Sequence, residues 1–312
     1  MAISVGCCGF PTSKVKYYAA FPVVEVNSTF YGFPKPALME KWRREAPDGF
    51  EFTVKAHQVI SHAAKLKPTR ECIHAYQRML EVCRLLKSRF LLLQTPASLR
   101  PTEEVFQNAE KFFKAAAAMG ESYVGLVWET RGPAWQQPRS KPRLRKLLEK
   151  HGVSHVTDPL LAPPVWESEV VYYRLHGCGP RLYYYEYSNT ELRRLREILE
   201  AQRGRPRIYV FFNNLRMFED ASRFKALLET GRLPQVRAGF GVEGIRQLLA
   251  RARFPASKSQ LTKAYGWRIV NLASGDQRRF AEVLAAMEGD NFTSVDEVLR
   301  SFKECKLALL SR

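Results

Sequence analysis

Residues 23–55 read VVEVNSTFYGFPKPALMEKWRREAPDGFEFTVK: a short β-branched run, a polar turn, a helical stretch behind two prolines, and a second apolar run that ends on lysine. The runs at 23–26 and 50–55 have strand length and composition, and 37–46, set off by Pro34 and Pro36, reads as a helix. The beat continues in both directions. Upstream stands ISVG (3–6); downstream stand FLLLQ (90–94), YVGLVWE (123–129), HVTD (155–158), VVYYRLH (170–176) and IYVFFN (208–213), each leading into the next helical stretch. Eight strand-then-helix units in series predict a closed (β/α)8 barrel of the TIM type. Expected helices are 14–20, 37–46, 70–87, 102–119, one ending near 150, 190–202 and 218–229, while Pro159, Pro163 and Pro164 leave the sixth unit without a long helix.

Barrels of this kind carry chemistry at the carboxyl ends of their strands. Glu25, Asn27, Lys55, His57, Gln94, Glu129, Arg131, Asp158, Arg174, His176 and Asn213 all fall there. Period-two alternation puts Glu25 and Asn27 on one face, and does the same for Lys55 with His57, Glu129 with Arg131, and Arg174 with His176. Charged groups converging on a barrel interior must compensate one another or shift their pKa values, so the set reads as a mutually balanced site. An ion-pair ring that is only structural would use the same residues.

The chain has 312 residues, a formal net charge of +18 and a pI near 9.8. That excess favours an anionic partner, with DNA or RNA the expected one, although thermophile-type surface networks also use abundant Arg and Lys. The sequence enters strand pattern at once without a signal segment, and no apolar run is long enough to cross a bilayer, so a cytoplasmic protein with no membrane partner is expected. Six cysteines at 7, 8, 72, 83, 178 and 305 make no C-x-x-C pair, which argues against a zinc module and a disulfide scaffold; Cys7 and Cys8 read as small buried hydrophobes. Beyond residue 230 the β/α beat stops. Residues 231–312 are read as a basic, mainly helical accessory extension to a 1–230 barrel, with Ser294 and Glu297 in capping-box spacing.

Two chemistries suit the strand-end residues. In one, Glu25, Glu129, His57, His176 and Asp158 hold a divalent metal that activates water, although no H-E-x-x-H or comparable spacing supports it. In the other, which the number of cations favours, Lys55, Arg131 and Arg174 hold an anion while Glu25 or His57 serves as general acid or base. The cofactor is left unassigned. Aromatic residues gather on the rim: Phe30 and Tyr31, Trp128 and Trp135, and Tyr183, Tyr184, Tyr185 and Tyr187. They suit a base or sugar ring, or ordinary packing between loop and barrel.

The stretches VEVNSTFYGFP (24–34), FEFTVKAHQVISH (50–62), LLQTPASL (92–99), WETRGPAW (128–135), YYRLHGCG (172–179), YYYEYSNTEL (183–192) and YVFFNN (209–214) resemble the YecE-like family, domain of unknown function seventy-two. The resemblance implies a TIM-type barrel and no settled activity. The family is similar in architecture to apurinic endonucleases and sugar isomerases, and nucleic-acid binding has been suggested for it on that ground. By motif position it adds His62 and Asn214 to the pocket, beside Glu25, Asn27, Lys55, Gln94, Glu129, Arg131, Arg174, His176 and Asn213. One departure is Gly132, where the family usually has a histidine. The residues and the resemblance together predict a nucleic-acid-binding phosphoester hydrolase. Its catalytic residues would be Glu25, Lys55, His57, Glu129, Arg174 and His176, and its binding residues Asn27, Tyr31, His62, Gln94, Arg131, Trp135, Tyr185, Asn213 and Asn214. The alternatives are an enzyme on a small anionic metabolite or sugar, of the isomerase or hydrolase class, and a non-catalytic nucleic-acid binder.

Overall fold

Eight strands form one parallel sheet: β1 (Ala2–Cys8), β2 (Val23–Val26), β3 (Glu51–Lys55), β4 (Phe90–Gln94), β5 (Gly125–Glu129), β6 (Ser154–Val156), β7 (Val170–Leu175) and β8 (Arg207–Phe212). These come from a computed structural model that describes residues 2–119, 123–202, 204–205, 207–236, 239–273 and 276–305. The strand order is β6-β5-β4-β3-β2-β1-β8-β7. A parallel bridge from Thr157 to Tyr173, with Arg174 N–H donating to the Thr157 carbonyl at 3.0 Å, brings the two ends together. The result is the expected TIM-type barrel.

Helices α1 (Lys14–Ala20), α2 (Pro36–Glu45), α3 (Arg70–Leu86), α4 (Glu103–Ala118) and α5 (Lys141–His151) lie between successive strands up to β6. Thr69 and Thr102 cap α3 and α4, their hydroxyls accepting from Cys72 N–H and Val105 N–H. The β6–β7 connection carries no helix, as its three prolines dictate. After β7 comes α6 (Asn189–Glu200), and after β8 comes α7 (Met217–Thr230).

Inside the barrel Cys8, Val23, Leu92, Val127, Val156, Val170, Tyr172, Tyr209 and Phe211 make one apolar cluster. Its amino-terminal end is closed by polar contacts: Tyr209 donates to the Glu51 carboxylate, and Arg207 Nη1 donates to Tyr209 at 3.2 Å. On β1 there is room only for glycine at position 6, because a Cβ there would stand 2.3 Å from the Val23 carbonyl oxygen of the neighbouring strand.

The chain divides into two units by internal contact: residues 1–175 with 198–213, which hold every barrel strand, and residues 176–197 with those from 214 onward. The second contains α8 (Gly241–Leu248), β9 (Ala256–Ser257), α9 (Lys258–Tyr265), β10 (Ile269–Ala273), β11 (Asp276–Arg279), α10 (Phe280–Ala286), β12 (Asn291–Phe292) and α11 (Val295–Glu304). Among the described residues the extension has four helices and two short antiparallel pairs, β10 with β11 and β12 with β9. The segment at 276–279, in an extension read as mainly helical, is strand because it pairs with the apolar run of β10. The capping residues of α11 are also rearranged: Ser294 accepts from Glu297 N–H, but the Glu297 carboxylate turns to Thr293. Ile245, Leu272, Phe280, Leu284, Val298 and Phe302 are central to this unit's core. Its loop after β7 is tied to that core by Glu186, a buried carboxylate that accepts from Ile269 N–H at 2.8 Å and pairs with Arg268 and Arg216.

Candidate active site at the barrel mouth

Alternation along β2, β3, β4, β5 and β7 brings Glu25, Lys55, Gln94, Glu129 and Arg174 to the carboxyl-terminal end of the barrel interior. Arg174 is the hub. Its guanidinium is 1% exposed and donates to Glu25 at 2.8 Å, to Gln94 at 3.2 Å and to Glu129. Glu25 is further held by Tyr172 at 2.7 Å and by Asn27 at 3.0 Å, and Tyr172 is bonded in turn to Thr53 at 2.8 Å. Glu129 also receives Arg131 at 2.8 Å. Burial alone would raise the Glu25 pKa, but Arg174, Tyr172 and the Cys8 thiol outweigh it and hold the carboxyl below the ordinary glutamate range. Burial keeps the Tyr172 hydroxyl protonated, so it stays a donor.

Lys55 differs from the other cations. Among the described residues no carboxylate lies within 4.0 Å of its ammonium, which sits 4.0 Å from the centre of the Phe30 ring. Burial, followed by the Arg174 charge, pushes its pKa down to about 8. His62 meets the same Phe30 ring edge-on at 4.8 Å and bonds Ser61 at 2.9 Å; burial and the charges of Lys55 and Arg131 lower its pKa, leaving it neutral near pH 7. Tyr31, 76% exposed, also packs edge-on against Phe30. Arg131 and Arg174 thus pair with Glu129 and Glu25, while Lys55 lies within 4.0 Å of neither.

The remaining candidates make other contacts. His57 follows the end of β3, where the chain enters a π-helical turn at Val59–Ala63; its ring stacks on Phe33 at 4.1 Å and its Nδ1 accepts from Val59 N–H. The period-two rule stops with the strand, and the two side chains have different partners, Lys55 over Phe30 and His57 on Phe33. Trp135 is core, packed on Trp128 and Phe106 and donating to the Leu99 carbonyl at 2.7 Å. Asn213 continues β8, its N–H donating to the Leu175 carbonyl. In the second unit His176 packs against Tyr183, Tyr185 bonds Glu191 under Arg279, and Asn214 joins the Tyr185 carbonyl to Asp220. Asp158 accepts from Leu160 N–H at 3.1 Å. Tyr172, Thr53 and Cys8 were missed, although Tyr172 stands two residues before Arg174 and Cys8 pairs in register with Glu25.

The donor set does not fit the divalent metal considered above. Glu25 and Glu129 are both engaged by Arg174, and among the described residues no group of three or more His, Cys, Asp or Glu could hold an ion. Gly132 has φ +100°, and a Cβ there would lie 2.6 Å from the Ala97 carbonyl oxygen, so the backbone has no place for the histidine of the family pattern.

Residues 11–238 match the family model described as protein of unknown function DUF72. The chain belongs to that family. Residues 241–304 match a second model, a family of unknown function (DUF5789). YecE of Escherichia coli K12 is 36% identical over 94 residues, which are 30% of this chain and 34% of that protein, so the match spans about a third of the curated relative. A DUF72 protein of Thermotoga maritima superposes with a TM-score of 0.59 at 24% identity, over 73% of this chain and all of that one. At the level of fold alone, a xylose isomerase domain containing protein of Salmonella typhimurium and a family 2 AP endonuclease of Brucella melitensis superpose equally. Each has a TM-score of 0.52, at 14% and 11% identity, over 74% and 73% of this chain and 100% and 98% of theirs. Family and fold place the chain among TIM-type barrels of unknown function. Among the described residues no helix is long and apolar enough to cross a membrane.

Proposed function

We propose that the barrel mouth binds a small anionic metabolite, such as a sugar phosphate or a hydroxy acid, and transfers protons on it, as an isomerase or a hydrolase. The observation that carries this reading is Lys55, a buried lysine with no carboxylate within 4.0 Å among the described residues and a pKa near 8. Such a group holds an anion as a cation and gives or takes a proton near neutral pH. Arg131 and Arg174 are paired with Glu129 and Glu25, so Lys55 is the cation of the three that a substrate anion neutralises. Arg131, half-buried beside Lys55, anchors the substrate; Tyr31 and Phe30 border it. Glu25 is not the free base that the sequence suggested, because four groups already hold it. With Arg174 it fixes the site's shape and field.

The test is deuterium uptake from solvent, with release of inorganic phosphate followed in parallel, over a panel of aldose and ketose phosphates and hydroxy acids. The wild-type chain is expected to turn over at least one member of the panel, and Lys55→Met to lower that rate by about 100-fold or more, the usual worth of a positioned acid or base. Equal turnover by both would remove Lys55 from the mechanism. Phosphoester hydrolysis on nucleic acid is a second reading, supported by the net charge of +18. Cleavage of labelled DNA or RNA that is lost in Lys55→Met would favour it.

A further inference from the structure

The second unit holds a cavity of about 480 Å³ that the barrel-mouth chemistry does not use. Its walls are mainly apolar, and two rings dominate them: Tyr184 and Trp267, 5.9 Å apart and nearly perpendicular. The Trp267 Nε1–H is already given to the Ala264 carbonyl at 2.9 Å, so the indole offers a ring surface to a guest and no donor. Arg181 lies 3.2 Å from the centre of the Tyr184 ring. Arg279 lies over Tyr185 and is committed to Glu191 and to the Trp267 carbonyl. Arg181 and Lys263 are different: both are exposed on the cavity wall, and among the described residues neither has a carboxylate within 4.0 Å. Glu282 is the single acidic side chain lining the space among the described residues.

We infer that this cavity takes an unpaired base of a single-stranded nucleic acid, packed against the Trp267 and Tyr184 rings, with the adjoining phosphates on Arg181 and Lys263. The volume falls within the roughly 300–1,000 Å³ of pockets that enclose a small planar ligand. Aromatic rings beside a guanidinium plane are what an unstacked base packs on, and a base inside a duplex cannot reach them. The two unpaired cations and the chain's net charge of +18 favour a polyanion over an apolar or basic peptide. No residue invoked here is used by the proposed function, so this inference and the proposed function stand or fall separately.

The test is fluorescence anisotropy with the full chain, using a labelled short single strand, the same sequence as a duplex, and an abasic strand with the same number of phosphates. Base packing is worth about 1–3 kcal/mol. The base-bearing strand is therefore expected to bind roughly 5- to 150-fold tighter than the abasic strand. Trp267→Ala should erase that margin and leave abasic binding unchanged, Trp267→Phe should keep most of it, and an Arg181→Ala, Lys263→Ala double variant should weaken both strands and flatten the salt dependence. Equal affinity for base-bearing and abasic strands would overturn the inference, as would a duplex that binds as tightly or AMP that competes as well as the strand. If Trp267→Ala fails to fold, the wild-type comparison of the two strands decides alone.

Discussion

Arg174 carries more of the site than any other side chain, and its surroundings explain why. A guanidinium taken wholly out of water needs partners with good geometry, and Glu25, Glu129 and Gln94 supply them. Replacing it with methionine leaves two buried carboxylates facing each other. Arg174→Met is expected to lower unfolding free energy by about 3–5 kcal/mol, with a further Glu25→Gln change restoring part of the loss, as read by urea denaturation. The pH dependence has a definite sign. The folded Glu25 pKa is depressed, so its contribution is present above the ordinary value of 4.5 and is lost as pH falls through the folded value. At this scale the sequence was legible where strand periodicity holds: Glu25, Lys55, Gln94, Glu129 and Arg174 meet as the alternation requires. It did not reach His57, two residues beyond the strand and just ahead of the π-helical turn, or Trp135, whose ring fills the core.

Among the elements, the loop after β5 is the most constrained. Gly132 opens the 3-10 turn Pro133–Gln136 at φ +100°, against the Ala97 carbonyl, directly after Arg131. A side chain there meets both the backbone conformation and the oxygen. Gly132→Ala is expected to cost about 1–3 kcal/mol and to weaken anion binding by displacing Arg131, measured by thermal unfolding and ligand titration. The β/α beat announced eight strands and most helix limits within a residue or two, because each run is bounded by prolines, glycines or capping threonines. The extension was harder to read. Its strands are two to five residues long and pair only locally, too short for a period to show, and α9 has a single fully buried residue, Leu261.

On the scale of the whole molecule, the chain combines a DUF72 barrel with a segment matching a second family model, and each unit has its own core and its own candidate site. The charge excess seen in the sequence belongs to the chain as a whole, so it could point to an anionic partner without locating it. The two proposals give it places: Lys55 at the barrel mouth, and Arg181 and Lys263, which among the described residues have no carboxylate within 4.0 Å, beside rings in the second unit. The central claim is that Lys55 makes the mouth an anion site. Its most direct test is a calorimetric titration with sulfate, whose charge does not change over the range, at neutral pH and near pH 9, for the wild-type chain and for Lys55→Met. The account predicts wild-type binding near neutrality that falls by up to about tenfold for each pH unit above the Lys55 pKa of about 8, with weak, pH-independent binding in the variant. Equal binding by both proteins, unchanged between the two pH values, would contradict it.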